Sequence, residues 1–117
     1  MATEMKRSVK SGQRDVRILA VELDGTAGTP AAAGLDALKI ASVTDNGVGD
    51  YTLELKIALA AAPQVLVQCQ TADAIATVVA KTASTVQVQC FDATDGTTAK
   101  DCLIDLLIIG SDVTDRY

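Results

Sequence analysis

The chain has 117 residues, a net charge of −5, no His and no Trp. This length fits one domain, and the Ala, Val, Leu and Ile that supply nearly all of its 49% hydrophobic share predict a thin, aliphatic core. Without histidine, Ser–His and Cys–His nucleophile pairs and imidazole metal ligands are excluded.

Residues 1–14 lack hydrophobic periodicity, and we expect an extended N-terminal arm ahead of a single β-domain at residues 15–117. Residues 1–17 hold five cations against two acids, whereas residues 18–117 hold five cations against thirteen acids. The five cations of the first part are Lys6, Arg7, Lys10, Arg14 and Arg17. The acidic body would repel phosphate, so we expect an acidic protein surface as the partner and no nucleic acid.

The sequence contains no run of about 18 apolar residues that could span a membrane. Residues 1–17 are polar and lack the apolar segment of a secretory signal. We therefore expect synthesis in a cytosol and no membrane partner.

The first half of the β-domain predicts three strands. Residues 15–23 are rich in β-branched side chains and precede an Asp-Gly turn. The small residues 25–34 predict a loop, and residues 37–43 predict the second strand. The clearest strand covers residues 51–57, where apolar and polar side chains alternate, and residues 58–62 would either extend it or form a short helical turn. The positions predicted to face the core are Tyr51, Leu53, Leu55 and Ile57.

The second half predicts four more strands. Residues 65–69 and 86–90 share the pattern V-x-V-Q-C, which places the valines and the cysteine on one face. Residues 75–81 fit a strand or a short helix, and we favour a strand because β-branched residues are frequent there. Residues 102–109 are almost entirely apolar and predict a central strand buried on both faces or covered by another subunit. Asp105 interrupts this strand, so it should face solvent or a polar partner.

About seven strands separated by turn signals predict an all-β fold, an antiparallel sandwich or barrel of the jelly-roll kind. Because the last strand needs cover on its second face, we expect a homo-oligomer. The residues predicted to self-associate are Leu103, Ile104, Leu106, Leu107, Ile108 and Ile109.

Two loops, residues 44–50 and 92–101, are rich in Asp and Asn, so they could bind a cation or simply form turns. Neither matches the spacing of an EF-hand, and Asn-Gly and Asp-Gly pairs are common in hairpin turns. We therefore favour turns. The sequence also lacks the glycine motifs that bind dinucleotides or phosphates, and we expect no enzymatic activity, no cofactor and no metal.

The three cysteines, Cys69, Cys90 and Cys102, do not have the spacing of a metal-binding motif. We interpret them as small buried apolar residues. A disulfide between Cys69 and Cys90 is the alternative, and it would be unusual in a reducing compartment.

Glutamines occur beside both V-x-V-Q-C cysteines, and they have two interpretations. If the two strands are neighbours, the glutamines would form one polar face able to bind another protein. Otherwise they are solvent-facing residues of half-buried strands, which is the interpretation we favour. The residues are Gln68, Gln70, Gln87 and Gln89.

Two stretches resemble bacteriophage virion proteins, notably tail-fibre and capsid-associated β-domains. The first, at residues 41–55, reads A-S-V-T-D-N-G-V-G-D-Y-T-L-E-L. The second, at residues 86–110, reads V-Q-V-Q-C-F-D-A-T-D-G-T-T-A-K-D-C-L-I-D-L-L-I-I-G and is similar to a strand, a small polar loop and an apolar strand that ends in Gly. Together they cover about half of the chain. The resemblance implies a non-enzymatic structural part of a virion.

One compact domain behind a short arm suits a capsid decoration or cementing protein, because a tail fibre needs a long shaft. We therefore expect the protein on the outer surface of the virion head after assembly in the host cytoplasm, with the major capsid protein as its partner. The basic arm would bind an acidic surface of the coat or of a sister subunit. A tail-fibre or receptor-binding head domain of a phage tail is the alternative, and a cytosolic β-module that recruits an acidic protein is a third class.

Overall fold

The structure is a computed structural model that describes residues 16–111. These residues form two four-stranded sheets that pack against each other, and every strand pair is antiparallel. The predicted all-β fold is therefore confirmed as a sandwich. The arm predicted for residues 1–14 lies outside the described residues.

Eight strands and one short 3₁₀ helix, at Ala37–Lys39, follow one another along residues 16–111. We call the two sheets sheet A, with the order β2-β1-β8-β5, and sheet B, with the order β3-β4-β7-β6. The strands are β1 (Val16–Asp24), β2 (Ala31–Ala33), β3 (Ile40–Gly47), β4 (Asp50–Leu55), β5 (Gln64–Cys69), β6 (Ala74–Lys81), β7 (Thr85–Asp92) and β8 (Leu103–Ser111).

Two predicted segments differ from the structure in the first third of the chain. The predicted loop at 25–34 contains β2, whose three alanines pair with the end of β1 and add an eighth strand. Residues 37–39 form a 3₁₀ helix instead of the start of a strand. The cause is a reversal at Gly34, with φ of 90°, after which Lys39 donates its N–H to the carbonyl oxygen of Asp36 at 2.9 Å.

The strand predicted for residues 51–57 is correct in its core but ends at Leu55. Ile57, predicted to face the core, is instead 71% exposed. Residues 58–62 neither extend the strand nor form a helical turn, because they cross from sheet B to sheet A. On the way, Ala60 donates its N–H to the carbonyl oxygen of Ser111 at 2.7 Å.

The core lies between the two sheets and is aliphatic apart from one tyrosine and two cysteines. A fully buried aliphatic side chain contributes about 1.5–3 kcal/mol relative to an exposed one. Sheet A supplies Val21, Leu23, Ile104, Leu106 and Ile108, and sheet B supplies Ile40, Tyr51, Leu53, Leu55, Val86 and Val88. Residues 16–111 contain no helix long and apolar enough to cross a membrane.

The sandwich has two distinct ends. At one end, which we call the Val16 end, Val16 of β1 pairs with Ser111 of β8, so the first and last described residues lie together. At the other end, β1 finishes and the Tyr51 hydroxyl of sheet B lies 3.2 Å from the carbonyl oxygen of Gly25, which follows β1. We call this the Tyr51 end.

Candidate functional site

The connection between β3 and β4 is a hairpin at the Tyr51 end. Asp45 Oδ1 accepts the N–H of Gly47 at 3.0 Å, and Asn46 Nδ2 donates to Asp50 Oδ1 at 3.2 Å. Gly47 has φ of 133°, which residues with a Cβ rarely adopt. The predicted hairpin connection is confirmed, but the predicted loop at residues 44–50 is too long: β3 continues to Gly47, and only Val48 and Gly49 form the turn.

Tyr51 connects this hairpin to sheet A. Its side chain is fully buried, and its hydroxyl donates to Asp101 Oδ1 at 2.5 Å. The same carboxylate oxygen accepts the N–H of Gly49 at 2.8 Å. Burial, and then the hydrogen bond to Asp101, raises the pKa of Tyr51 well above its ordinary value of 10.0, so the phenol remains a neutral donor.

Two glycines allow this close packing. A Cβ on Gly49 would lie 2.6 Å from the carbonyl oxygen of Cys90 and 2.8 Å from that of Lys100, and a Cβ on Gly25 would overlap the Tyr51 hydroxyl. The N–H of Cys90 also donates to the carbonyl oxygen of Gly49 at 2.7 Å. The hairpin, the end of β1 and the β7–β8 connection thus form one tightly packed unit.

Three thiols converge at the same end of the sandwich, and we call them the cysteine cluster. Cys69 ends β5, Cys90 lies in β7, and Cys102 directly precedes β8. Their Sγ atoms lie within 4.8 Å of one another, and all three are free thiols. Among residues 16–111, this is the only group of three or more Cys, His, Asp or Glu side chains whose ligand atoms converge in this way.

Cys90 and Cys102 are fully buried, as the interpretation of small apolar residues predicts, whereas Cys69 is only half-buried. The convergence itself was missed, because the cysteines lie 21 and 12 positions apart in the chain and belong to both sheets. The repeated V-x-V-Q-C pattern was the available signal. It places Cys69 and Cys90 on the inward faces of strands from opposite sheets, which meet when the sheets pack.

Burial and the neighbouring thiols favour the protonated forms of Cys69 and Cys90. Burial is the largest cause that raises the pKa of Cys69 from its usual 9.0 to about 11, and burial also raises the pKa of Cys90. Lys100 acts weakly in the opposite direction on Cys69. Its Nζ donates to the carbonyl oxygen of Ala72 at 3.2 Å, and the Cys102 thiol donates to the carbonyl oxygen of Lys100 at 3.3 Å.

The second Asp-rich loop, which follows β7, is also a set of turns. Asp92 Oδ1 accepts the N–H and the hydroxyl of Thr94 at 2.9 and 2.8 Å. Asp95 accepts the N–H groups of Thr97 and Thr98 at 2.9 and 3.0 Å and the Thr98 hydroxyl at 2.5 Å. These donors, led by the Thr98 hydroxyl, lower the pKa of Asp95 to about 2. The carboxylates thus stabilise the loop.

The four glutamines do not form one face, because β5 and β7 belong to different sheets. Gln87 and Gln89 of sheet B donate to the two carboxylate oxygens of Asp50 at 2.9 and 3.0 Å. Gln70, after β5 of sheet A, donates to Asp105 at 2.8 Å. Asp105 therefore has the polar partner that its position in an apolar strand requires.

The residues predicted to self-associate divide between the two faces of β8, which lies between β1 and β5 as expected for a central strand. One set is in the core and cannot contact another subunit while the sandwich is closed: Ile104, Leu106 and Ile108. The other set is half-buried on the outer face of sheet A: Leu103, Leu107 and Ile109. Only the outer set is available for association.

Two of these outer residues belong to an apolar strip across sheet A. Ile109 pairs with Ile18 of β1, and Leu107 pairs with Leu66 of β5. Leu35 lines the same groove as Leu66 and Leu107. Ile18, Leu66 and Leu35 are 47, 61 and 87% exposed. We define the apolar strip as these five residues.

Of the five predicted arm residues, Arg17 is the one within the described residues. It lies at the start of β1 and lines a groove at the Val16 end with Lys39, Lys56, Leu38 and Ile57. The other four, Lys6, Arg7, Lys10 and Arg14, lie outside the described residues. The groove therefore combines three cations with exposed apolar side chains.

The two ends of the sandwich differ in charge. Four of the five cations of residues 16–111 lie at the Val16 end together with one acid, Glu54; the cations are Arg17, Lys39, Lys56 and Lys81. The Tyr51 end has one cation, Lys100, among seven acids: Asp24, Asp45, Asp50, Asp73, Asp92, Asp95 and Asp101. The described domain is thus cationic at the Val16 end and acidic at the Tyr51 end.

Comparisons with known proteins give no family for this chain. No protein-family model, curated protein or solved structure matches it. A functional assignment therefore depends on the residues and the geometry described above.

Proposed function

We propose that this protein is a non-enzymatic structural component of a bacteriophage virion, a capsid decoration protein that binds the outer surface of the head. The major capsid protein is its partner, and the bound domain cements contacts between coat subunits. The observation that supports this function best is the presence of two distinct docking surfaces on one small sandwich, the apolar strip and the cationic groove. The resemblance of residues 41–55 and 86–110 to virion β-domains points in the same direction.

The apolar strip suits contact with a second copy of the chain. Monomeric proteins rarely leave a large contiguous apolar patch exposed, and here large side chains from β1, β5 and β8 adjoin on one sheet face. At one side the strip ends at the acids Glu22 and Asp105, which both accept hydrogen bonds from Gln70. An apolar centre with a polar border is typical of an association surface.

The cationic groove suits an acidic surface of the coat. Arg17 lies in the groove beside Lys39 and Lys56, and it is the last of the five basic residues in residues 1–17. The groove therefore adds Lys39 and Lys56 to the basic residues predicted to contact the coat. Many copies on one shell would multiply a weak individual contact.

The location of the protein in purified phage particles tests the proposal. We expect it in the particle by mass spectrometry and on the outer surface of the head by cryo-electron microscopy. Density on the tail would instead support the tail-fibre or receptor-binding alternative. Absence from purified particles would contradict both.

Binding of purified protein to capsids that lack it tests the role of the cations. We expect replacement of Lys6, Arg7, Lys10, Arg14 and Arg17 by Ser to weaken binding strongly at low salt and less at high salt, because salt screens such contacts. A control with Lys81→Ser, outside the arm and the groove, should bind almost normally. Unchanged binding of the five-residue variant at both salt concentrations would show that the arm has no such role.

The apolar strip has its own test in Leu107→Glu, which places a charge at the centre of the strip. We expect this variant to be monomeric by light scattering in high salt, which screens contacts between charged surfaces, under conditions in which the parent protein associates. Leu103→Glu is the matched control, because Leu103 lies on the same face of β8 but is separated from the strip by Asp105. Equal association of Leu107→Glu and the parent would rule out the strip as the contact.

A further inference from the structure

We propose that the cysteine cluster binds one Cu⁺ ion through the three sulfur atoms of Cys69, Cys90 and Cys102. The inference does not depend on the capsid role. Three Sγ atoms lie within 4.8 Å of one another, supplied by both sheets at one end of the core. A small shift of the side chains would bring all three sulfurs to bonding distance of one central ion.

The chemistry of the donor set selects a soft ion. Thiolates favour Cu⁺, Zn²⁺ and iron–sulfur clusters over Mg²⁺ or Ca²⁺, which prefer oxygen ligands. Structural zinc sites are almost always four-coordinate, whereas among residues 16–111 no fourth Cys, His, Asp or Glu joins the three sulfurs. Cu⁺ is satisfied by two or three sulfur ligands, so it matches the number present.

The surroundings give the ion an entry route and one compensating charge. Cys90 and Cys102 are fully buried, but Cys69 is half-buried at the end of β5, so an ion can reach the cluster past its sulfur. Binding replaces the thiol protons, and a Cu⁺ ion with three thiolates has a charge of −2. The Lys100 ammonium is close enough to favour the thiolate of Cys69, which offsets part of this charge.

Proton release gives the site a pH signature. Because Cu⁺ binds thiolates, it displaces thiol protons as it binds, and its apparent affinity should rise as the pH rises. Each proton released adds about a factor of ten in affinity per pH unit. We therefore expect the apparent Cu⁺ affinity to increase as the pH is raised through neutrality.

The test uses the full chain, reduced and free of metal, under nitrogen, with Cu⁺ delivered against the competing chelator bicinchoninate. We expect one Cu⁺ per chain, an ultraviolet sulfur-to-copper charge-transfer band and protection of the half-buried Cys69 thiol from alkylation. Cys69→Ser should weaken binding at least about tenfold. This variant is the decisive one, because Cys69 is half-buried and a hydroxyl there can contact water.

Val67→Ala is the matched control, because Val67 lies two residues before Cys69 on the same inward side of β5. It removes packing but no sulfur, so it should lower the melting temperature and leave Cu⁺ affinity unchanged. Equal affinity of Cys69→Ser and the parent chain, or equal losses in Cys69→Ser and Val67→Ala, would overturn the site. Tighter binding of Zn²⁺ than of Cu⁺ by the parent chain would overturn the choice of ion.

Discussion

At the scale of single residues, the Tyr51 end is packed too closely to admit a side chain at Gly49. The Asp101 carboxylate oxygen accepts from both Tyr51 and Gly49, and the backbone of Gly49 approaches Cys90 and Lys100 too closely to admit a Cβ. Gly49 also has φ of 64°, in the left-handed region. The residue identity at position 49 is therefore set by two independent causes, conformation and contact.

Gly49→Ala and Gly96→Ala separate these causes. Both glycines have nearly the same φ, 64° and 70°, but nothing lies within 4 Å of a Cβ built on Gly96. We expect Gly96→Ala to lower the free energy of unfolding by about 1–2 kcal/mol from the backbone alone, and Gly49→Ala by about 1–3 kcal/mol more because of overpacking. Urea denaturation followed by circular dichroism measures both. Equal losses in the free energy of unfolding would mean that the β7–β8 connection moves aside for the added methyl group without loss of stability.

Asp95 predicts a pH dependence of stability. Its pKa is about 2 in the folded protein and near 3.8 when unperturbed, so its hydrogen bonds to Thr97 and Thr98 stabilise the fold fully above pH 3.8. As the pH falls from 3.8 to 2, the unfolded chain binds the proton first and this contribution is lost. Asp95→Asn keeps an acceptor oxygen but does not titrate, so its melting temperature should fall less over that interval. Parallel acid-melting curves for both proteins would contradict the prediction.

At the scale of elements, β8 shows how one strand serves two surfaces. Ile104, Leu106 and Ile108 point into the core, while Leu107 and Ile109 lie on the outer face of sheet A. A nearly continuous apolar sequence is expected for a strand that is buried on both faces. Here only one face is covered by the described domain, and the other contributes to the apolar strip.

Adjacent isoleucines of β8 test this division. Ile108 is fully buried and Ile109 is half-buried on the opposite face. We expect Ile108→Ala to lower the free energy of unfolding of the monomer by about 2–5 kcal/mol, because it leaves a cavity in the core. Ile109→Ala removes the same atoms from the outer face of the sheet. It should lower the free energy of unfolding by less than about 1.5 kcal/mol. Denaturation at dilute protein concentration makes the comparison, and similar losses would show that the outer face is also packed in the monomer.

The same elements show what sequence reasoning could and could not find. Strict alternation of apolar and polar residues from Tyr51 to Leu55 located β4, and the V-x-V-Q-C pattern located β5 and β7. Both patterns are visible in the sequence because successive side chains of a strand point to opposite faces and only one face is buried. The strand at residues 31–33 was missed, since alanines have little strand preference and pair here only because β1 offers a free edge. The cysteine cluster was missed because contacts between sheets depend on how the sheets pack, which spacing along the chain does not encode.

At the scale of the whole molecule, the separation of charge is the property that neither the net charge nor any single strand reveals. The chain total of −5 conceals a Val16 end with four cations and one acid and a Tyr51 end with seven acids and one cation. Antiparallel strands place alternate turns at opposite ends, so the acidic turns after β1, β3 and β7 all come together. Two copies arranged head to tail would bring unlike charges into contact, and such a contact can repeat from copy to copy.

Charge reversal tests this head-to-tail contact. In low salt we expect the parent protein to show a higher weight-average mass than in high salt, because screening weakens attraction between exposed charges. Lys39→Glu with Lys56→Glu should remove that difference, because it makes the groove acidic like the facing end of the next copy. Adding Asp92→Lys and Asp95→Lys should restore association, since the unlike charges are then exchanged between the two ends. Analytical ultracentrifugation measures each protein, and failure of the fourfold variant to regain association would show that the two ends do not meet.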